Sequence, residues 1–149
     1  AMTMYHYVEC GLENIWLRNG YVEESTPYGP TVAFRDIPGL HESISLAVVE
    51  QAGKLSGAEI RFLRRQMEMS QVSLAELIGV TSQSVALWEK GKAPITPPTD
   101  KLLRLIVKGH YSGQVTVRRA IDALNRRDQE EHAERLVFQA SDKKWESVG

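Results

Sequence analysis

The sequence contains one cysteine, Cys10, among 149 residues. A single thiol forms no internal disulfide and falls short of the four ligands of a structural zinc site, so a cysteine-stapled secreted scaffold is excluded. No stretch approaches the roughly 18 apolar residues that a membrane helix needs, and the N-terminus lacks the basic-then-apolar pattern of a signal peptide. The sequence therefore predicts a cytoplasmic protein that makes no contact with a membrane.

Residues with catalytic chemistry are also few. The four histidines lie on different segments without an acidic partner at a meaningful spacing. His6 and Cys10 stand on a predicted strand and turn, which does not converge them on one metal ion. The sequence has neither a phosphate-cradling glycine loop nor a nucleophile elbow. We therefore expect no enzyme activity, no metal site and no cofactor.

The chain has a net charge of only −1, but its charged residues are unevenly distributed along the sequence. Residues 1–53 hold 2 basic and 7 acidic side chains, a net charge of −5, whereas residues 54–108 hold 9 basic and 5 acidic ones, a net charge of +4. The tail from residue 109 is neutral. Such asymmetry is expected when one segment meets an anion and another does something else, although ordinary solvated helix faces can produce it too.

Short strands are predicted at the N-terminus. Aromatic and β-branched residues at 5–8 and 14–17 indicate strands, and Asn19-Gly20 before Tyr21-Val22 is typical of a hairpin turn. A third short strand is predicted at 31–34, so we expect a small antiparallel sheet. Its aromatic side chains could form an RNA-stacking face, but so short a sheet more often buries them as its core or in a dimer contact. These are Tyr5, Tyr7, Trp16, Tyr21 and Phe34.

From Leu40 onward, the apolar residues are spaced as on one face of a helix. One face of this linking helix carries apolar residues until Gly53, and Ser56 with Glu59 then forms a capping box for the next helix. Further helices are predicted at about 71–78, 82–90 and 99–107, and the tail shows a helical pattern through Val117, Ile121 and Leu124. The segment from Leu136 to Trp145 predicts either a final hairpin or a strand that joins the N-terminal sheet.

The most informative stretch runs from Ser70 to Gly91. Leu74, Leu77 and Ile78 predict the buried face of a two-turn helix, which small Ala75 lets a second helix approach closely. Gly79 can take the left-handed conformation that a sharp turn needs.

The second helix of this stretch follows at once. Val80 is predicted to fill the angle between the two helices, and Thr81 to cap the second one. Val85 and Trp88 would anchor that helix to the core. Four residues are then left pointing outward near its N-terminus: Ser82, Gln83, Ser84 and Leu87. This is the geometry of a helix-turn-helix, whose second helix presents its first turns to the DNA major groove.

Residues 56–107 resemble the lambda-repressor-like helix-turn-helix domains of the Xre group. The resemblance rests on Ser70-Gln71, Leu74-Ala75, Ile78-Gly79-Val80, Val85, and Trp88-Glu89-Lys90-Gly91 followed by Pro94. It implies a five-helix DNA-binding domain, usually dimeric and usually a repressor of its own operon. It also implies that Gln71 lies on a backbone phosphate or packs against Gln83, and that Ser82, Gln83, Ser84 and Leu87 read bases.

The chemistry of these side chains suits those roles. Gln can pair with adenine through two hydrogen bonds, Ser can contact base edges or a phosphate, and Leu87 can meet a thymine methyl group. Lys90 and Lys92 follow the recognition helix and would attract phosphates, with Lys54, Arg61 and Arg64 as weaker candidates. Glu89 is expected to hold a helix end or an arginine, because an acid in the groove would repel phosphate.

A second resemblance extends over most of the chain. A strand-rich N-terminal domain, a linking helix and a C-terminal Xre domain are similar in layout to the MqsA-type antitoxins of toxin–antitoxin pairs. Those proteins hold zinc through paired Cys-x-x-Cys motifs, whereas this sequence has Cys10 alone. The resemblance thus implies a zinc-free relative whose acidic N-terminal domain could meet a basic toxin protein.

Together these features predict a mainly α protein with a small antiparallel β N-terminal domain and a five-helix lambda-repressor-like domain. The predicted divisions are 1–39 for the strands, 40–53 for the linking helix, 54–108 for the DNA-binding domain and 109–149 for the tail. We expect a homodimeric regulator on a palindromic operator of double-stranded DNA, and an autorepressor of antitoxin type. The alternative is an antitoxin or interaction module whose main role is to bind a protein partner.

Overall fold

The computed structural model describes residues 3–113, 119, 122, 125 and 135–148. Four short strands come first: β1 (Tyr5–His6), β2 (Trp16–Leu17), β3 (Tyr21–Thr26) and β4 (Gly29–Phe34). Five helices follow: α1 (Ile37–Glu50), α2 (Gly57–Gln66), α3 (Gln71–Ile78), α4 (Ser82–Glu89) and α5 (Pro97–Ser112). Strands β5 (Val137–Ser141) and β6 (Lys144–Val148) complete the described part of the chain. This is the mainly α architecture with small antiparallel sheets that the sequence predicts.

The N-terminal strands form two sheets instead of the one expected. β1 pairs with β2, and β3 pairs with β4 over six residue pairs, all antiparallel. The prediction of a hairpin turn at Asn19-Gly20 is wrong, because that dipeptide links β2 to β3 and the turn lies between Thr26 and Gly29. The Thr26 hydroxyl closes the turn: it donates to the Gly29 carbonyl at 2.6 Å and accepts from the Tyr28 amide.

The N-terminal aromatic side chains pack mainly on one another. The Tyr5 ring lies 5.2 Å from that of Tyr21 and 5.5 Å from that of Phe34, and buried Tyr7 also meets Phe34. Trp16 is exposed and stacks on His6 with ring centroids 4.0 Å apart. Most of these residues therefore form a small aromatic core and not an open stacking face.

Helix α1 is longer at its start than predicted and shares its core with the later helices. It begins after Asp36, whose carboxylate accepts from the Gly39 amide, and it ends at Glu50. Its buried residues Ile44, Val48 and Val49 belong to the same hydrophobic cluster as those of α2 to α5. Tyr7 and Leu12 join this cluster, so the N-terminal segment packs on the helices as well.

Helix α2 has the predicted capping box at its start: the Ser56 hydroxyl accepts from the Glu59 amide, and the Glu59 carboxylate accepts from the Ser56 amide. The first residue of the helix, Gly57, lies against the end of α4. A Cβ atom there would collide with the backbone carbonyl oxygens of Trp88 and Glu89. The two helices therefore approach each other backbone to backbone.

A buried ion pair fastens the link between α1 and α2. The Arg104 Nε donates to Asp100 Oδ1 at 2.8 Å, and Asp100 Oδ2 accepts from the Leu55 amide at 2.8 Å. The same guanidinium donates to three backbone carbonyls at the end of α1, those of Val49, Gln51 and Gly53. A cation in this position satisfies carbonyl groups that the helix end leaves unpaired.

The last described segment is a hairpin. β5 and β6 pair over five residue pairs around a two-residue turn at 142–143, and every residue of both strands is exposed. Within the described residues this hairpin forms its own two-stranded sheet, which decides between the two predicted alternatives. The predicted tail helix through Val117, Ile121 and Leu124 lies outside the described residues. Among the helices that are described, none is long and apolar enough to span a bilayer.

Candidate nucleic-acid interface

Helices α3 and α4 are joined by a sharp turn at Gly79. The Ser70 hydroxyl caps α3 by accepting from the Ser73 amide, and the helix ends where Gly79 adopts φ +78°. The amides of Gly79 and Val80 both donate to the Ala75 carbonyl at 2.9 Å. A left-handed residue at this position costs little only for glycine, so Gly79 has the role that its place in the motif predicts.

Helix α4 is capped and anchored as the sequence predicts. The Thr81 hydroxyl accepts from the Ser84 amide at 3.1 Å. Val85 is fully buried and Trp88 nearly so, and both belong to the main hydrophobic core. The face of α4 that carries these two residues therefore fixes the helix on the domain, which leaves the opposite face free.

The free face of α4 carries the predicted base-reading residues unequally. Gln83 is exposed, and Leu87, four residues later on the same face, has 43% of its surface exposed. Ser82 and Ser84 are half-buried, and the Ser84 hydroxyl lies 3.0 Å from that of Thr81. Gln83 and Leu87 are thus exposed to a ligand, whereas the Ser84 hydroxyl already contacts the helix cap.

A partly buried hydrogen-bond network connects α2, α3 and α4 at the end of α4. Arg64 donates to both carboxylate oxygens of Glu89, at 2.7 and 2.9 Å, and to the Met69 carbonyl. The side chains of Arg64 and Glu89 are only 11% and 5% exposed. Gln71, at the first position of α3, adds a hydrogen bond to Glu89 at 3.2 Å. Glu89 thus holds an arginine, as the sequence predicts.

The electrostatics of this network favour the ionised pair. Burial alone would raise the pKa of the Glu89 carboxyl, but the hydrogen bonds from Arg64 and Gln71 outweigh burial and hold that pKa below its usual value of 4.5. The hydrogen bond to Glu89 likewise raises the pKa of the Arg64 guanidinium. Sequence reasoning did not identify the bond from Gln71 to Glu89, because the two residues meet only once the turn has formed.

The remaining basic candidates stand around α4 and α2. Lys90 caps the end of α4 and Lys92 follows two residues later; both are exposed. Arg61 is exposed on α2, and Lys54 is exposed just before that helix. Their placement leaves these four side chains accessible to a polyanion, in contrast to Arg64, whose guanidinium is enclosed by Glu89 and Met69.

A cavity of about 410 Å³ lies between the N-terminal segment and α2. Cys10, His41 and Arg61 are among its lining residues. Burial lowers the pKa of the His41 imidazole, although a hydrogen bond to Gln66 opposes this, and burial raises the pKa of the Cys10 thiol. Within the described ranges no three His, Cys, Asp or Glu side chains come together as a metal site.

One comparison with known proteins gives a match, to a segment that begins within α2 and ends within α5. Residues 60–108 match the family model described as helix-turn-helix. Neither the curated proteins nor the solved structures gave a significant match. The matched residues include the whole of α3, its turn and α4, the elements whose geometry is given above.

Proposed function

We propose that the chain is a DNA-binding transcription regulator whose helix α4 reads a specific operator, because residues 60–108 match a helix-turn-helix model of the Xre, lambda-repressor-like type. One observation carries the proposal: Val85 and Trp88 fix one face of α4 in the core while Gln83 and Leu87 stand exposed on another. A helix held in this way can enter the major groove with its first turns against the base edges.

Base reading is assigned to the four outward residues of α4. Gln83 would form two hydrogen bonds with an adenine, and Leu87 would contact a thymine methyl group. Ser82 and Ser84 would add contacts to base edges or to a phosphate. Because the Ser84 hydroxyl shares a hydrogen bond with Thr81, we expect a smaller contribution from Ser84 than from Gln83.

Phosphate contacts are assigned to the exposed cations. Lys90 and Lys92 flank the end of α4, and Arg61 and Lys54 stand on the α2 side. Gln71 begins α3, where the positive end of a helix favours a phosphate. We assign Arg64 a different task from the one predicted for it: its bonds to Glu89 hold the end of the reading helix in place.

A homodimer on a palindromic operator is part of the proposal. One recognition helix reads only a few base pairs, and two helices about one DNA turn apart, roughly 34 Å, multiply the specificity. We propose that the operator lies upstream of the protein's own gene, so that the protein represses its own synthesis. A footprint on that DNA would locate the operator.

The test compares two variants by binding titrations on operator and random DNA at two salt concentrations. Gln83→Ala should lower the preference for the operator by about 1–3 kcal/mol per half-site, because it removes a base contact. Lys90→Ala should instead weaken binding to both DNAs and reduce the salt slope by about one per subunit. An unchanged operator preference in Gln83→Ala would show that α4 is not the reading helix.

A second candidate function is supported by the exposed acidic side chains of strand β3. Glu23 and Glu24 are exposed on β3, and Tyr28 at the tip of the β3–β4 hairpin is fully exposed. An acidic surface repels DNA and suits a basic protein, so this hairpin could bind a toxin as an antitoxin does. Co-purification from the native operon tests this, and replacing Glu23 and Glu24 with Lys should abolish capture. Capture that survives the replacement would rule out the hairpin as the binding surface.

A further inference from the structure

Within the part of the chain that the structure describes, nothing covers the C-terminal hairpin. Every residue of β5 and β6 is exposed, and Trp145 and Phe138 have 73% and 55% of their surfaces exposed. An isolated two-stranded hairpin is marginally stable at best in water, and independent stability takes three or more strands with an apolar face or packing against a helix. The described residues supply neither to β5 and β6.

The register of the hairpin places its two aromatic side chains on one face and its charged side chains on the other. Phe138 pairs with Ser147 and Ala140 pairs with Trp145, so the two aromatic side chains share a face. The pairs Val137–Val148, Gln139–Glu146 and Ser141–Lys144 lie on the other face, where the Gln139 amide donates to Glu146 at 3.1 Å. Lys144 and Glu146 thus stand two residues apart on the charged face of β6.

The turn determines which backbone groups are free. A two-residue turn makes Ser141 and Lys144 a hydrogen-bonded pair, and the pattern then alternates along the strand. The N–H and C=O of Trp145 therefore point to the open edge of β6. A second β6 strand that pairs there about a two-fold axis would place Trp145 opposite its own copy, and each Lys144 directly opposite the Glu146 of the other copy.

Other two-fold registers lack this complementarity. With the two-fold axis at Ser147, Glu146 of one copy would face Val148 of the other. With the axis at Phe138 or Ala140, on the edge of β5, no Lys of one copy would face an acidic residue of the other. In the register around Trp145 the Lys144–Glu146 pairs occupy positions that are not hydrogen-bonded to each other, where opposite side chains are closest. Charge complementarity therefore selects one edge, one register and one occupant.

We propose that the β6 edge pairs with β6 of a second copy of this chain around Trp145, which produces a four-stranded antiparallel sheet across a two-fold axis. The larger sheet brings two Trp145 and two Phe138 side chains onto one continuous face. This interface rests on the proposed dimeric regulator and gives its two-fold assembly a structural basis. It also removes an open sheet edge that would otherwise be free to pair indiscriminately.

The first test is a charge exchange in the full-length chain without DNA, read by sedimentation velocity over a range of concentrations. Lys144→Glu places like charges opposite each other twice, and the dimer dissociation constant should rise by about tenfold. The double variant Lys144→Glu, Glu146→Lys restores opposite charges and should restore the dimer. Arg18→Glu makes the same change of net charge on an exposed N-terminal residue and should leave association unchanged.

The second test uses a single cysteine in the Cys10→Ser background. Residues opposite each other in a hydrogen-bonded antiparallel pair have Cα atoms about 5.5 Å apart, within disulfide range. Trp145→Cys should therefore form a covalent dimer on mild oxidation, whereas Gln139→Cys should not, since three strand spacings, roughly 14 Å, would separate the two thiols.

Two results would overturn the proposal. A dimer that is insensitive to Lys144→Glu and gives no cross-link at position 145 would place the two-fold contact elsewhere and leave the regulator proposal intact. A chain that stays monomeric at every concentration would overturn both the interface and the dimer. The effect of Gln83→Ala on operator preference is measured independently, so a failure of DNA reading is distinguishable from either result.

Discussion

The helical core and the C-terminal hairpin show two different sources of order. In the core, caps at Ser56, Ser70 and Thr81 begin successive helices, and the apolar faces of those helices bury one another. In the hairpin, the backbone pairing is complete but all the side chains remain exposed. Backbone hydrogen bonds are therefore enough to define the conformation of a helix or hairpin. Burial of its side chains decides whether that helix or hairpin is stable by itself.

The largest expected effect separates the two regions directly. Leu63 is completely buried among the helices, so Leu63→Ala should lower the free energy of unfolding by about 2–5 kcal/mol through lost burial and a cavity. Trp145→Ala removes a larger side chain but should change that free energy by less than about 0.5 kcal/mol, because the indole is exposed. Urea unfolding followed by circular dichroism at low protein concentration measures both.

The contrast between the helical core and the hairpin would be wrong if Trp145→Ala destabilised the helices as much as Leu63→Ala does. That result would mean that the hairpin packs on the core in solution. Amide hydrogen exchange provides the matching observation: the amides of α2 should exchange only by global unfolding, and those of β5 and β6 by local opening.

The next effect concerns buried and exposed charge. Glu89→Ala leaves the Arg64 guanidinium buried without its carboxylate, which should cost about 3 kcal/mol of stability. Glu76→Ala, at an exposed position on α3, is the matched control and should change stability by less than about 0.5 kcal/mol. Thermal unfolding of the two variants measures the difference. Equal melting temperatures would show that the buried network contributes no net stability.

The smallest effect is a pH dependence confined to the core. The pKa of His41 is lowered chiefly by burial, so the folded state favours the neutral imidazole that hydrogen-bonds with the Tyr7 hydroxyl at 2.8 Å. Stability from this group is present above pH 6.5, the usual pKa of histidine, and should be lost as the pH falls through the lower folded value. Unfolding free energies between pH 7 and 5 should fall less steeply for His41→Gln than for the parent. Identical slopes would assign the pH dependence to other groups.

Much of the helical half could be predicted because its signals are local. Serine and threonine caps, the glycine turn and the spacing of Val85 and Trp88 each act within a few residues, and the structure has them where the sequence places them. The sequence predicts the N-terminal turn at Asn19-Gly20, because that dipeptide is the stronger local signal. The observed turn depends on the Thr26 side chain, whose hydrogen bonds no dipeptide preference encodes.

The basic residues of the candidate nucleic-acid interface also could not be distinguished from the sequence alone. Exposed Lys90 and buried Arg64 look alike as cations in a basic segment, and only the approach of α2 to α4 distinguishes them. The carboxylate that encloses Arg64 lies 25 residues away in sequence. Long-range ion pairs of this kind leave no periodic pattern, so the separation of supporting cations from cations free to meet DNA requires the folded structure.

The contact at Gly57 has a consequence for genetics. The backbone of α2 touches the last carbonyls of α4 at this glycine, so any side chain there would displace the helix to which we assign DNA reading. A substitution at position 57 would then alter operator recognition without removing a DNA contact. In a screen for loss of the proposed repression, such a mutant would be grouped with the α4 mutants, although its residue lies on a different helix.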